Sequence, residues 1–296
     1  MIFEKYTHIY FFIVKIFLIF HILLLFYSCK KTEEEDSNFC RQLFLDISTI
    51  DFSLPHRNQQ GFAIHEDYGF IFYDTGLCNV VNMRNKSLVS QFHIATSAPN
   101  NHANNANFGI EYPADNNFPA IYISKFNEDG DCFVESITLN GSKLIQTIRL
   151  ALENNQVRGI TWAVDTENKH IWAIGYKHLS WHKKEDNVIY YIKFKLPRLA
   201  EGDILLTDED IIERFEMPYH IHQGFYIKNN KIYAPWGMGS QCGLLVLDIA
   251  KREYIISIDL GYWGAEPEGI DEYNGNLIIS HNHGFKGQLI ELCIKQ

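Results

Sequence analysis

The sequence lacks most of the short patterns that announce a reaction. No C-x-x-C pair occurs among its six cysteines, so a zinc knuckle or thioredoxin-like redox motif has no support. No G-x-S-x-G, P-loop or G-x-G-x-x-G run is present, which leaves serine-elbow hydrolases, P-loop NTPases and dinucleotide-binding units unsupported. Positive charge is scarce: 26 Lys and Arg stand against 36 Asp and Glu, for a net charge of −10. Phosphate backbones need a basic footprint, so nucleic acid is not an expected partner, and the acidity otherwise speaks only for solubility. Long apolar runs are also missing. The best one, 16–26, is short of the roughly 20 residues of a membrane span and is interrupted by His21. Helical periodicity is nearly absent, with one weak candidate at 209–214. What remains is a globular composition, 46% hydrophobic and 14% aromatic, on 296 residues.

Residues 1–28 read as an export signal: Lys5 and Lys15 precede the apolar run, and Ser28-Cys29 then meets the polar stretch 30–37. This resembles a bacterial lipoprotein signal, with Cys29 as the lipidated residue and a membrane as partner through that anchor. The acidic tether, 29–39, resembles the surface-export tether of Bacteroidetes lipoproteins. Lys30 in place of Asp favours the outer membrane by the same resemblance. An uncleaved signal-anchor helix reaching back to Ile9 is the alternative. With Cys29 lipidated, Cys40, Cys78, Cys132, Cys242 and Cys293 are an odd set, so at least one thiol is free or buried. Pairing is open at this point.

From residue 40 to 296 the chain is short strands and turns, and one phrase repeats. Gln60-Gly61-Phe62, Arg158-Gly159-Ile160, Gln223-Gly224-Phe225 and Glu268-Gly269-Ile270 each lead through an acidic or Asn-rich turn into a second strand. Ala106-Asn107-Phe108 supplies a fifth opening. The first apolar residues, Phe62, Phe108, Ile160, Phe225 and Ile270, lie 46, 52, 65 and 45 residues apart. These steps are near the length of a four-stranded propeller blade. The long step holds two loop-like excursions, 177–187 and 196–210. Third and fourth strands follow in each unit except the last, which has no fourth strand before the chain ends. The segment 42–47 has strand character and no blade of its own. It is predicted to close the ring as the outer strand of the last blade. The expected fold is therefore all-β, a five-bladed β-propeller in one domain, with a six-bladed ring as the alternative.

Inner strands line a propeller's axis, so residues beside the repeat's Gly converge. Gln60, Arg158, Gln223 and Glu268 are the candidate ligand-binding set, with Asn107 or its neighbours Asn104 and Asn105 from the second blade. His102 and His222 join them, and Glu266 and His220 lie nearby. Such a mouth suits a small polar ligand, a glycan or a peptide; a polar mouth that holds only water is the plainer reading. His220-Ile221-His222 and His281-Asn282-His283 are H-x-H pairs whose members share a face if they lie on a strand. With His102 or Glu268 they would form a set for a divalent metal in the channel. Trp236 and Trp263, in Gly-rich loops, are candidate ligand platforms, whereas Trp172 reads as core. Residues 127–131 fit a plain surface turn better than a calcium loop, and His178 and His182 read as surface.

The first blade, Gln60-Gly61-Phe62 through Tyr73-Asp74-Thr75-Gly76, resembles the glutamine cyclotransferase family, whose five blades open on similar Q-G or E-G phrases. The resemblance implies a five-bladed propeller. It also implies, as an alternative to a binding module, a glutaminyl cyclotransferase with its site in the channel; a metal-assisted lyase or hydrolase on the histidine set is the other enzyme expectation. Glu268 is then the candidate acid–base residue, because cyclising a terminal glutamine moves a proton at the amine and at the leaving amide. A pure interaction scaffold is the third expectation.

Overall fold

Period-two apolar patterning, broken by turn residues, places strands where the repeat predicts them. The computed structural model describes residues 39–50, 58–96, 102–126, 130–153, 157–178, 186–261, 264–282 and 287–294. The signal segment, Cys29 and all of the tether but Phe39 lie outside the described residues. The large unit of the chain is Arg41–Leu292; Cys40 and Cys293 belong to the other unit and are joined by a disulfide.

Strand β1 (Phe39–Asp46) comes first. Blade one is β2 (Gln59–His65), β3 (Tyr68–Tyr73), β4 (Leu77–Asn82) and β5 (Ser87–His93). Blade two is β6 (Asn105–Phe108), β7 (Ile121–Ser124), β8 (Cys132–Thr138) and β9 (Gly141–Leu150). Blade three is β10 (Arg158–Asp165), β11 (His170–Tyr176), β12 (Val188–Lys195) and β14 (Glu213–Pro218); β13 (Ile204–Leu206) leaves it. Blade four is β15 (Tyr226–Lys228), β16 (Lys231–Met238), β17 (Gln241–Asp248) and β18 (Glu253–Asp259). Blade five is β19 (Glu266–Tyr273), β20 (Asn276–Asn282) and β21 (Gln288–Ile294), completed by β1 outside β21. Five sheets form five blades, so the six-bladed alternative falls, and the N-terminal strand closes the ring as expected.

Local chemistry explains the hairpins. Asn229 and Asn230 both adopt positive φ, 51° and 56°, between paired Lys228 and Lys231. Asn274 and Gly275 do the same between Tyr273 and Asn276. Two-residue turns with both φ positive match the strand twist, and Asn and Gly tolerate that conformation best. Between blades, apolar faces interdigitate. Tyr122, Val134, Trp162 and Ile171 pack between blades two and three, and Trp172, Tyr191, Phe215 and Phe225 between three and four. Each such large side chain contributes about 1.5–3 kcal/mol by leaving water. Trp172 is core, as its sequence context predicts.

The repeat's Gly sits in a bulge. Register shifts fall between Gln59 and Phe62, Arg158 and Thr161, and Pro267 and Ile270. Near the axis the backbones leave no room for a side chain. A Cβ on Gly224 would stand 2.4 Å from the Glu268 carbonyl oxygen, and one on Gly269 2.3 Å from the Phe62 amide nitrogen.

Three expectations need correction. The excursion 196–210 is not all loop: β13 pairs parallel to β9, Ile204 opposite Ile148, giving blade two a fifth strand from blade three's connection. The weak helix at 209–214 is instead a 3-10 turn, Asp208–Asp210, running into β14. Trp236 is not in a loop but in β16, opposite Gly243, where its indole nitrogen fills the space a Cβ would take. Cys78, Cys132 and Cys242 are free and buried.

Candidate functional site

The ring has two mouths. One is formed by the starts of the inner strands, the other by their ends and the hairpin turns that follow. The start mouth gathers most of the sequence candidates. Glu268 is 2% exposed, and its Oε1 accepts from Gln60 Nε2 at 3.4 Å. Two residues earlier on the same face, Glu266 accepts from Gln223 Nε2 at 2.6 Å, and that amide also donates to the Gly237 carbonyl at 3.2 Å. Burial pushes the Glu268 carboxyl well above the carboxylate range, and the charge of Glu266 adds to the effect. Glu266 is also raised by burial, with the Gln223 amide opposing. Two carboxyls this close do not both ionise readily, and the deeper one, Glu268, is the harder to ionise.

Gln59 and Gln60, in the bulge, are both buried, at 1% and 3% exposure. Gln59 Nε2 donates to Ser280 Oγ at 2.6 Å. Among the described residues, Gln59 Oε1, Gln60 Oε1 and Glu268 Oε2 are buried with no hydrogen-bond partner. Polar atoms in that state cost about 1–3 kcal/mol each unless water or a ligand meets them.

An aromatic wall adjoins them. The His222 ring stacks on Tyr176 at 4.3 Å and 8°, and the His222 amide donates to the Tyr176 hydroxyl at 2.9 Å. Phe126 meets His222 edge-on at 6.3 Å and His102 at 5.9 Å. Burial holds His222 well below the usual histidine range; His220 adds to this and the Gly159 backbone opposes it. His102 is also lowered by burial, with the charge of Asp74 opposing. Asp74 thus belongs to this mouth, as do Gln59 and Tyr176, which the sequence reading did not single out. Tyr176 is legible only through its pairing with Arg158.

Other candidates lie apart. Arg158 is exposed at the head of β10. Asn107 is not at the start mouth: its amide donates to the Phe225 carbonyl at 3.1 Å and its oxygen accepts from the Val164 amide at 3.3 Å, deep in the ring. Asn104 donates to the Gln223 carbonyl, and Asn105 to the Trp162 and Phe225 carbonyls at 2.8 and 3.1 Å. This amide layer fills the axis between the mouths. His220 and His222 do not share a strand, because β14 ends at Pro218 and His222 makes only an isolated bridge to Trp236. His220 Nδ1 lies 3.4 Å from the Tyr254 hydroxyl, and burial lowers its pKa to about 4. Among the described residues no three His, Cys, Asp or Glu side chains are grouped to hold a metal ion. Trp263, His182 and His283 lie outside the described residues. At the far mouth is a cavity of about 450 Å³, whose lining includes Asn107, Asp271 and Tyr226.

No family model and no curated protein sequence matches the chain. Among solved structures, it is similar to Myxococcus xanthus glutaminyl cyclase, with a TM-score of 0.50 and 13% identity over 86% of this chain and 97% of that one. The chain resembles the glutamine cyclotransferase-like propellers. At this identity the likeness is one of fold.

Proposed function

We propose that this chain is an outer-membrane lipoprotein, anchored at Cys29, whose propeller binds a small polar ligand, a glycan or a peptide, at the start mouth. The observation that carries the binding site is the pair of buried, unpartnered polar atoms on two side chains already in contact there: Gln60 Oε1 and Glu268 Oε2. A ligand with several hydrogen-bonding groups satisfies them together.

A second reading is favoured by the raised Glu268 carboxyl beside Glu266. A neutral carboxylic acid next to an ionised one is the pair that proton transfer uses. In cyclisation of an N-terminal glutamine, the α-amine attacks the side-chain amide carbon, the C–N bond to the amide nitrogen breaks, and ammonia leaves with a proton supplied by such an acid. Calorimetry with the dipeptide Gln-Gly and with short glycans, alongside an ammonia assay, separates the two. Binding without ammonia release, weakened in Glu268→Gln, is the result expected of a binding module. Ammonia release lost in Glu268→Gln places the chemistry there. Affinity unchanged by Glu268→Gln removes this mouth from either role. Radiolabelled palmitate incorporation that survives Cys29→Ala would remove the anchor.

A further inference from the structure

The far mouth presents a different chemistry. Its cavity of about 450 Å³ is large enough for a small organic molecule. Aromatic rings supply part of the lining. His65 sits among Phe108, Phe118 and Tyr112 at ring separations of 5.3, 5.6 and 6.3 Å, and Tyr112 is 56% exposed at the opening. Tyr226 adds a further ring, 6.0 Å from Tyr233. The charged lining residues are Asp271 and Glu272, with no Lys or Arg among them. Glu272 is taken: Lys228 Nζ stands 2.6 Å from each of its oxygens. Asp271 is held in place by backbone amides, Ile64 at 2.6 Å on one oxygen and Glu272 at 2.7 Å on the other. Each oxygen keeps capacity for another donor.

We propose that this cavity binds a small organic ammonium ion, a protonated amine on an aromatic or apolar body, through Asp271 and the surrounding rings. A carboxylate fixed inside an aromatic-walled cavity favours a cation whose body is poorly hydrated, because ring faces attract positive charge and the body leaves water. An anion would meet two carboxylates and no lining cation. A neutral molecule of the same shape gains the walls but not the charge.

The ionisation of Asp271 gives the site a pH dependence with a defined sign. Burial raises this carboxyl to about 7, while the backbone amides of Ile64 and Glu272 and the charge of Lys228 pull it down and Glu272 pushes it up. The other groups around it are Tyr226 and Tyr233, both raised by burial and therefore neutral, and His65, lowered by burial with Glu66 opposing. Only the ionised carboxylate pairs with ammonium, so affinity rises with pH through this range. At lower pH a protonated His65 works in the same direction.

The test is calorimetry on the full chain with benzylamine and its neutral counterpart benzyl alcohol. At about pH 8 the amine is expected to bind at least about tenfold more tightly than the alcohol, and to lose about tenfold or more on going to about pH 5.5. Asp271→Asn should erase the preference for the amine. Tyr112→Ala, at an exposed position that leaves folding intact, should weaken the amine about threefold. Equal binding of amine and alcohol, no amine binding at about pH 8, or affinity that is flat with pH overturns the proposal, even if Asp271→Asn fails to fold. Amine binding abolished by Glu268→Gln puts the ligand at the start mouth and also overturns it.

Discussion

The two mouths of the ring are built from the same inner strands, yet they treat their polar groups in opposite ways. At the far mouth, carboxylates are answered: Glu272 by Lys228, Asp271 by two backbone amides. Tight two-residue turns at Asn229-Asn230 and Asn274-Gly275 fix the strand ends there. At the start mouth, Glu268 Oε2, Gln60 Oε1 and the His222 ring nitrogens are buried with no hydrogen-bond partner, and burial raises the Glu268 carboxyl. The amide layer of Asn104 and Asn105 separates them. The difference is one of degree: each Asp271 oxygen has one donor and room for another, whereas the start mouth holds buried polar atoms with no donor. Incomplete bonding is the mark of a site that expects something.

The change expected to disturb both ends most is Gly224→Ala. Its methyl group would meet the Glu268 backbone, which cannot yield as a flexible side chain does. A loss of about 3 kcal/mol in urea unfolding is expected, with both ligand affinities reduced. Asn105→Ala should cost about 2 kcal/mol, because it takes the acceptor from the buried Phe225 amide and one donor each from the Trp162 and Phe225 carbonyls. If it left stability untouched, the amide layer would not be the partition described.

Smaller changes should separate the mouths by pH. Glu268 has a folded pKa above its unfolded one, so the folded state binds more protons and stability falls as pH rises from about 4.5 upward. Asp271, raised to about 7, acts with the same sign between about 4 and about 7. Glu268→Gln should therefore flatten the loss of stability with rising pH, and Asp271→Asn should flatten it only up to about pH 7, as thermal melts across pH will show. Histidine runs the other way. His222 is held neutral, so its contribution is lost as pH falls below about 6.5. His222→Phe, which keeps the stacking face, should make the protein more resistant to acid while weakening any ligand of the start mouth. Unchanged acid resistance would mean the ring is not buried as described.

Much of this was legible because the repeat carries physics. A Gly in an inner-strand bulge, an apolar residue after it and a positive-φ turn at the strand's end together count blades. The unpaired strand character of 42–47 told how the ring closes. What the sequence hid lies in pairing and in small displacements. Ile204–Leu206 is three residues long, with Leu205 59% exposed, and is a strand only because β9 lies beside it. Pro235 and Gly237 disguise Trp236 as a loop residue, yet Pro235 pairs with Leu244 inside β16. Asn107 differs from Asn105 by two residues, about 6–7 Å of strand, enough to carry it from the axis to the far cavity. His220 and His222 follow i, i+2 spacing but lack the strand that would align them.

The measurement that tests the central contrast most directly is a crystal structure of the chain soaked in Gln-Gly and, separately, in a short glycan. The account predicts density for one of them at the start mouth, within hydrogen-bond reach of Glu268 Oε2 and Gln60 Oε1. Density confined to the cavity beside Asp271, or a start mouth in which those oxygens are met by protein groups alone, would contradict it.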